Sequence, residues 1–155
     1  MAGRQQVIST PAAPRPRGHY SQAIRVGDTV WTAGQIPVIP SGNADGDETR
    51  FAPDMEGQAE QVIRNVAAVL DAAGATLADI VSVTVHVADS SQWGPFNKVY
   101  ARMMGDSRPA RTVVRGGELP IPGILVEMSV VAVVGSGPAG FYTAKFLLKQ
   151  LPASP

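Results

Sequence analysis

Hydrophobic and polar residues alternate in several short segments of the chain, which is the pattern typical of β-strands. The segment AIRVGDTVWTAG, residues 23–34, alternates on either side of a Gly27–Asp28 turn signal and predicts two strands joined in a hairpin. The segments ARTVV at 110–114 and ILVEMSVVAVV at 124–134 predict two further strands.

The segment DIVSVTVHVAD, residues 79–89, alternates without a break and predicts a single strand. Its even-numbered positions, from Ile80 to His86, are expected on one face of a sheet. The valines from Val81 to Val87 are expected on the other face. His86 is then expected on the less apolar face, as a surface or interface residue rather than a metal ligand.

Two segments have the spacing of helices instead. DMEGQAEQVIRNVAAVLDAAG places its apolar residues on one face, with Asp54 as the predicted N-cap and Gly74 as the predicted stop. SQWGPFNKVYARMMG predicts a second helix that starts near Pro95. Its apolar face is predicted to consist of Phe96, Val99, Tyr100 and Met103.

The predicted elements therefore follow the order strand–strand–helix–strand–helix–strand–strand. This order favours an α+β fold in which two helices cover one face of a mixed sheet. The other face would be too apolar to remain in water, which predicts oligomerisation. Residues 1–17 are polar and rich in proline, and they are predicted to form an N-terminal arm rather than core.

Composition narrows the classes of function. The 155 residues suffice for about one domain. Lys and Arg number 13 and so do Asp and Glu, and this balance disfavours nucleic acid and anionic membranes as partners. There is no cysteine, which excludes disulfides and thiol catalysis. His19 and His86 fit no zinc spacing, so no metal is expected.

No stretch approaches the roughly 18 continuous apolar residues of a membrane span, so no membrane segment is expected. The acid-poor, arginine-bearing start leaves organelle targeting open as an alternative. Prolines at positions 11, 14 and 16 disfavour the amphipathic helix of such signals. A cytoplasmic location is therefore expected.

Read together, six segments resemble the reactive intermediate deaminase family, also called Rid, YjgF or endoribonuclease L-PSP. They stand in family order over about residues 18–134, the predicted deaminase domain. The segments are GHYSQAIRVGDTVWTAGQIP, QVIRNVAAVLDAAGATLADIVSVTVHVAD, FNKVYARMM, RPARTVV, ELP and LVEMSVVAV.

The resemblance implies a chorismate-mutase-like fold, a mixed six-stranded sheet with two helices on one face, that assembles as a homotrimer. The active sites would lie in clefts between subunits. The resemblance also implies hydrolysis of reactive enamines and imines, such as 2-aminoacrylate and 2-iminopropanoate, to 2-keto acids and ammonia. These imino acids are by-products of pyridoxal-phosphate enzymes. No cofactor is expected.

The resemblance also identifies site residues. Arg111, in the PAR tripeptide, matches the substrate-binding arginine, and a guanidinium holds a carboxylate through two parallel hydrogen bonds. Its alternative role is a surface ion pair. Glu127, in LVEM, matches an acidic residue that could position or deprotonate the attacking water. Strand alternation places it on the face of Leu125, opposite Val126 and Met128, and an exposed strand charge is its alternative.

Four further residues complete the predicted site. Tyr20 matches a tyrosine at the cleft rim, where its phenol could bind substrate or water, and an interface aromatic is the alternative. Asn97 is predicted either to bind substrate or to brace the segment that bears the arginine. Gly34 would lend backbone groups where the ligand comes close. Ala33 precedes it, at a position where many relatives have serine.

Several departures from the family pattern concern the substrate preference. Ala33 removes one hydroxyl contact, Ser129 replaces a frequent second glutamate, and His19 stands where proline is frequent. The loop LPIPGILVE looks one residue longer than usual. Deaminase activity is still expected.

A non-catalytic trimeric module that binds small carboxylates is the alternative function, but a protein that only binds carboxylates would not need Glu127. Neutral charge and the lack of a catalytic histidine pair disfavour a ribonuclease.

Residues 135–155 extend past the family's last strand. Their sequence, with the flanking valines, contains the pattern G-x-G-x-x-G and resembles the start of the FAD-binding domain of adrenodoxin-reductase-like ferredoxin–NADP reductases. The acidic residue that holds the ribose follows about 20 residues later and would fall beyond Pro155. The extension is therefore expected to bind no flavin or nicotinamide, and a helix is predicted over Pro138–Leu151.

Overall fold

The computed structural model describes residues 4–41 and 50–136, which form six strands and two α-helices. The strands are β1 (Gln6–Ile8), β2 (Ala23–Val26), β3 (Thr29–Thr32), β4 (Ile80–Val87), β5 (Ala110–Arg115) and β6 (Val126–Val133), and the helices are α1 (Met55–Ala72) and α2 (Trp93–Met104). Within the described residues, no helix is long and apolar enough to cross a lipid bilayer. The helix predicted over Pro138–Leu151 lies outside the described residues.

The six strands form one mixed sheet in the order β1-β2-β3-β6-β4-β5. Only β4 and β5 run parallel to each other, and the other neighbouring strands are antiparallel. β6 lies in the middle of the sheet, where it pairs with β3 on one side and β4 on the other. The α+β fold predicted from the strand and helix patterns is confirmed, and so is the six-stranded mixed sheet that the resemblance implies.

Local signals fix the ends of the helices. Asp54 Oδ1 accepts a hydrogen bond of 2.8 Å from the Gly57 N–H, which satisfies one of the free amides at the start of α1. Beyond the end of α1, Gly74 has a φ of 78°, a left-handed conformation that favours glycine. α2 begins at Trp93, two residues before the predicted start near Pro95, because proline is tolerated within a first helical turn.

The core lies between the two helices and one face of the sheet. α2 buries Met104 there, whereas the predicted Met103 is only partly buried. The largest fully buried aliphatic side chains of this core are Ile63, Leu70, Met128, Val30, Val62, Val66, Val69, Val83 and Val85. The hydrophobic contacts of the helices therefore determine which sheet face is interior.

β4 departs from the strict alternation that its sequence predicts. Ile80 is buried in the core together with Val83, while Val81 is 41% exposed. The pairing of β4 with β6 is irregular between Ile80 and Ser82, where an extra residue shifts the alternation by one position. The prediction that Ile80 shares a face with His86 was therefore wrong, and the alternation holds only from Ser82 onward.

β1 lies within the segment that was predicted to be an arm. It pairs antiparallel with β2, and Ile8 and Ala13 are buried in the core. Three strand residues are too few to display a period, and the prolines that follow them dominate the composition of the segment. The first strand of the sheet was for these reasons not predicted from its pattern.

No described element covers the sheet face opposite the helices. Trp31 of β3 points to this face and is 46% exposed, and Val114 of β5 is exposed there as well. His86 and Thr84 of β4 share the face and are partly exposed. Large apolar side chains in water are the feature from which oligomerisation was predicted.

Candidate active site

Four of the predicted site residues lie together around a cavity of about 370 Å³ near the middle of the sheet. Tyr20 stands at the cavity, 54% exposed, and its hydroxyl oxygen accepts a hydrogen bond of 3.2 Å from the Arg17 N–H. The four residues are Tyr20, Ala33, Gly34 and Glu127. A phenol and a carboxylate therefore line the same small cavity.

Glu127 enters this cavity from β6. Its neighbours Val126 and Met128 are fully buried in the core, so strand alternation turns Glu127 to the opposite face. The carboxylate is half-buried, and among the described residues it has no hydrogen-bond or ion-pair partner. A carboxylate withdrawn from water without a partner is costly, so this position is typical of a group that serves a ligand or a bound water.

Gly34 lies directly against the Glu127 carboxylate. A Cβ atom at position 34 would lie 2.7 Å from Glu127 Cδ and still closer to Oε1. Two hydrogen bonds hold the backbone there: the Gln35 N–H donates to the Met128 carbonyl at 2.8 Å, and the Met128 N–H donates to the Gln35 carbonyl at 3.0 Å. Any side chain at position 34 would therefore displace the carboxylate.

Gln22 holds the N-terminal wall of the same cavity. Its side chain is buried, and Nε2 donates to the carbonyls of Ala13 at 3.2 Å and Pro14 at 2.9 Å. Oε1 accepts a hydrogen bond of 2.6 Å from the Thr10 N–H. Gln22 was not predicted as a site residue, because an uncharged polar residue just before an apolar strand is a weak signal in the sequence.

Arg111 lies elsewhere, on the edge strand β5, with its side chain on the helix face of the sheet. It is in register with Val83, whose side chain is in the core. The guanidinium lies between two rings of α2, with Cζ 4.6 Å from the ring centroid of Trp93 and 4.4 Å from that of Tyr100. Nη2 donates a hydrogen bond of 2.9 Å to Asn97 Oδ1. We call these three α2 residues the arginine clamp.

Within the arginine clamp, Asn97 Oδ1 accepts a hydrogen bond from Arg111, which is the contact expected for the bracing role, one of its two predicted roles. Trp93 and Tyr100 were not predicted as site residues. Trp93, Asn97 and Tyr100 occupy positions i, i+4 and i+7 of α2, and this spacing places all three on one helix face. Aromatic residues at such spacing usually form core, and Tyr100 was accordingly assigned to the apolar face.

The Tyr100 hydroxyl is buried and has no well-aligned hydrogen-bond partner within the described part of the chain. Burial raises the pKa of Tyr100 above its usual value, and the positive charge of the neighbouring Arg111 opposes this rise. The hydroxyl therefore stays protonated at neutral pH and remains a donor beside the guanidinium.

Arg111 and Asn97 line a second cavity, of about 330 Å³, between the end of α2 and the start of β5. Arg108 and Tyr100 also line it, and its lining includes no acidic side chain. The two cavities share no lining residue. In the described residues, no three His, Asp or Glu side chains lie close enough to hold a metal ion.

A single subunit does not bring Arg111 and Glu127 together. Glu127 is in register with His86 of β4, and Arg111 is in register with Val83 of the same strand, so β4 lies between them. Strand spacing and rise then place their Cα atoms about 14 Å apart. The two side chains also point to opposite faces of the sheet. One small ligand cannot contact both within one subunit.

We expect Trp93→Ala to loosen Arg111 and to weaken the binding of a small carboxylate such as pyruvate. Loss of one cation–π contact, worth about 0.5–2 kcal/mol, corresponds to a roughly 2- to 30-fold rise in Kd. Trp93→Phe keeps an aromatic face and should stay near the native affinity. Isothermal titration calorimetry measures both variants, and an unchanged Kd in Trp93→Ala would show that the ring does not hold the arginine.

The model of the family described as endoribonuclease L-PSP matches residues 10–134. A RutC family protein of Pyrococcus abyssi is 41% identical over 128 residues, which cover 83% of this chain and 96% of that protein. A protein of Dermatophagoides farinae named 2-iminobutanoate/2-iminopropanoate deaminase is 35% identical over 130 residues, 84% of this chain and 97% of that one. The crystal structure of yeast Mmf1 superposes with a TM-score of 0.76 at 35% identity, covering 84% of this chain and 98% of that one.

Proposed function

Because the chain belongs to the endoribonuclease L-PSP family, we propose that it hydrolyses small 2-imino acids, and the enamines that tautomerise to them, to 2-keto acids and ammonia. The proposal rests on one observation: each of the two cavities is lined by a charged group that has no oppositely charged partner among the described residues. Arg111 is fixed by the arginine clamp and has no carboxylate partner among the described residues, and Glu127 has no cationic partner there. The name of the Dermatophagoides farinae relative supports the type of reaction.

Arg111 is proposed to hold the substrate carboxylate. A guanidinium has five N–H donors, and the hydrogen bond to Asn97 uses one of them. Enough donors remain for both oxygens of a carboxylate. The rings of Trp93 and Tyr100 fix the plane of the guanidinium, and with it the plane of the bound imino acid.

Glu127 is proposed to act as the general base and acid. It takes a proton from water while the water oxygen forms a bond to C2 of the imine and the C=N electron pair moves to nitrogen. The carboxyl returns that proton to nitrogen, which gives a carbinolamine. The carboxylate then takes the proton of the C2–OH and delivers it to nitrogen, so the C–N bond breaks, ammonia leaves and C2 becomes a carbonyl carbon. Tyr20, at the same cavity, can donate a hydrogen bond to the water or the substrate.

These roles require a second subunit, and we propose a homotrimer in which the Arg111 cavity of one subunit meets the Glu127 cavity of the next. Two observations support this arrangement. Arg111 and Glu127 point to opposite faces of the sheet, and Trp31 leaves an apolar side chain exposed on the uncovered face. An interface between copies would bring the two charged groups together and would also remove the exposed apolar surface from water.

Light scattering is expected to give three times the 16.2 kDa mass of one chain at micromolar concentration. Trp31→Asp places a charge on the uncovered face and should shift the mass toward monomer with a matching loss of activity. Arg64→Gln, on the exposed surface of α1, is the control and should remain trimeric. A monomeric wild-type protein with full activity would contradict the shared site.

The function itself is tested by coupling an amino acid oxidase to the purified protein. Semicarbazide traps the imine that remains, so a deaminase lowers the yield of trapped product in proportion to its concentration. We expect this decrease with oxidation products of small aliphatic amino acids. Binding of pyruvate without any decrease in trapped imine would instead support a non-catalytic carboxylate-binding module.

A further inference from the structure

We infer that the second cavity selects 2-imino acids with an additional anionic group at the far end of the chain, such as imino dicarboxylates. The inference rests on the proposed deaminase function and concerns the substrate class. It starts from the charge of the cavity beside Arg111. Arg108 is a second arginine among the described lining residues, and these include no acidic residue to neutralise either charge.

Arg108 lies in the loop after α2 and lacks an ion-pair partner in the described part of the chain, unlike the arginines of the two helices. Arg64 and Arg102 both form ion pairs with Glu60. Arg108 makes no hydrogen bond or ion pair within the described residues, and the hydrogen-bond acceptor of Arg111 is the neutral amide of Asn97. Two positively charged residues on one cavity attract anions, and a bound dianion would neutralise both charges.

The same cavity also holds an unused hydrogen-bond donor. The side chain of Tyr100 lines it, is 7% exposed, and has a buried hydroxyl without a well-aligned partner in the described structure. Ser107, between α2 and Arg108, adds a second hydroxyl to the lining. A donor without a partner is costly to bury, so an anionic ligand that supplies acceptors is favoured over an apolar one.

The cavity has room for such a ligand. Its volume of about 330 Å³ falls at the lower end of the range of small-molecule sites and exceeds what a three- or four-carbon monocarboxylate fills. With the 1-carboxylate on Arg111, the distal carboxylate would extend toward Arg108, an exposed residue of the lining. A monocarboxylate would leave Arg108 without a partner.

The reaction is unchanged by the second carboxylate. Water adds its oxygen to C2, the C–N bond breaks, and ammonia leaves, so that one imino dicarboxylate and one water give one 2-oxo dicarboxylate and one ammonia. The distal carboxylate forms and breaks no covalent bond. The imino acid would be supplied by an enzyme that removes two electrons from an acidic amino acid at its Cα–N bond.

The test compares 2-iminosuccinate with 2-iminobutanoate, each generated by an amino acid oxidase, in the wild type and in Arg108→Gln. We expect Arg108→Gln to lower kcat/KM for 2-iminosuccinate about tenfold, the low end for a charge-assisted hydrogen bond at a solvated position. The value for 2-iminobutanoate should change less than about twofold, because a monocarboxylate does not reach Arg108. Arg64→Gln removes the same charge from α1 and should change neither value.

Titration of stable keto acids gives a readout that is independent of turnover. 2-Oxoglutarate should lose affinity in Arg108→Gln, whereas 2-oxobutanoate should not. The inference would be overturned if the ratio of kcat/KM for 2-iminosuccinate to kcat/KM for 2-iminobutanoate were the same in the wild type and in Arg108→Gln. Hydrolysis of 2-iminobutanoate alone would overturn it as well and would leave the proposed function in place, whereas hydrolysis of neither imino acid would reject both.

Discussion

Arg111→Ala is expected to abolish imine hydrolysis while the protein keeps its fold. Arg111 lies on the edge strand β5, is partly exposed, and is not among the buried residues of the core, although its guanidinium contacts the ring of Tyr100. Removing the charge that holds a carboxylate costs about 2–5 kcal/mol, which predicts a loss in kcat/KM of about 30- to 4000-fold. The coupled oxidase assay measures the rate, and circular dichroism with thermal unfolding checks the fold.

Arg111→Lys separates charge from geometry in the same experiment. An ammonium keeps the positive charge but cannot present two parallel donors to a carboxylate, and it stacks less well between Trp93 and Tyr100. We therefore expect this variant to fail as well. Arg102→Ala, which removes an exposed arginine paired with Glu60, is the control and should retain activity. A native rate in Arg111→Lys would show that Arg111 contributes only its positive charge and not its paired donors.

Glu127→Gln is expected to slow turnover far more than it weakens binding. The amide keeps the shape of the carboxylate against Gly34 but can no longer take a proton from water. General acid–base catalysis contributes about 10²–10⁴-fold, so kcat should fall by that factor. The Kd for pyruvate should change little, because Arg111, and not Glu127, is the residue proposed to hold the carboxylate of the ligand.

The matched control for this variant is Glu118→Gln. Glu118 is an exposed acid in the loop before β6, and it lines neither of the two cavities that hold the predicted site residues. Its conversion to the amide should leave both kcat and Kd unchanged. A wild-type kcat in Glu127→Gln would make Glu127 structural and would require another group to activate the water.

The elements that could be predicted from the sequence are those that local signals determine. Asp54 and Gly74 delimit α1 through contacts within a few residues, and the Gly27–Asp28 turn defines the β2–β3 hairpin. The irregularity at Val81 could not be predicted in this way, because it arises from the pairing of β4 with β6. A strand that is distant in sequence decides which face Val81 occupies.

The residues of the candidate site also differ in whether local sequence signals identify them. Arg111 and Glu127 stand in short motifs and could be identified from the sequence, although their roles remain predictions. Trp93 and Gln22 act through contacts with residues eight or more positions away, and neither carries a charge that marks it. The separation of Arg111 from Glu127 could not be predicted from the sequence either, because it depends on the position of β4 between their strands.

The central position of β6 has a consequence for how the chain folds during synthesis. β1, β2 and β3 form one set of paired strands and β4 and β5 another, and only β6 hydrogen-bonds to both sets. β6 is the last of the described strands to leave the ribosome, so the two halves of the sheet cannot be joined while it is being made. Pairing of such distant segments slows folding. The strand that completes the described sheet also carries Glu127, so a nascent chain acquires the proposed general base only in the step that joins the two halves of the sheet.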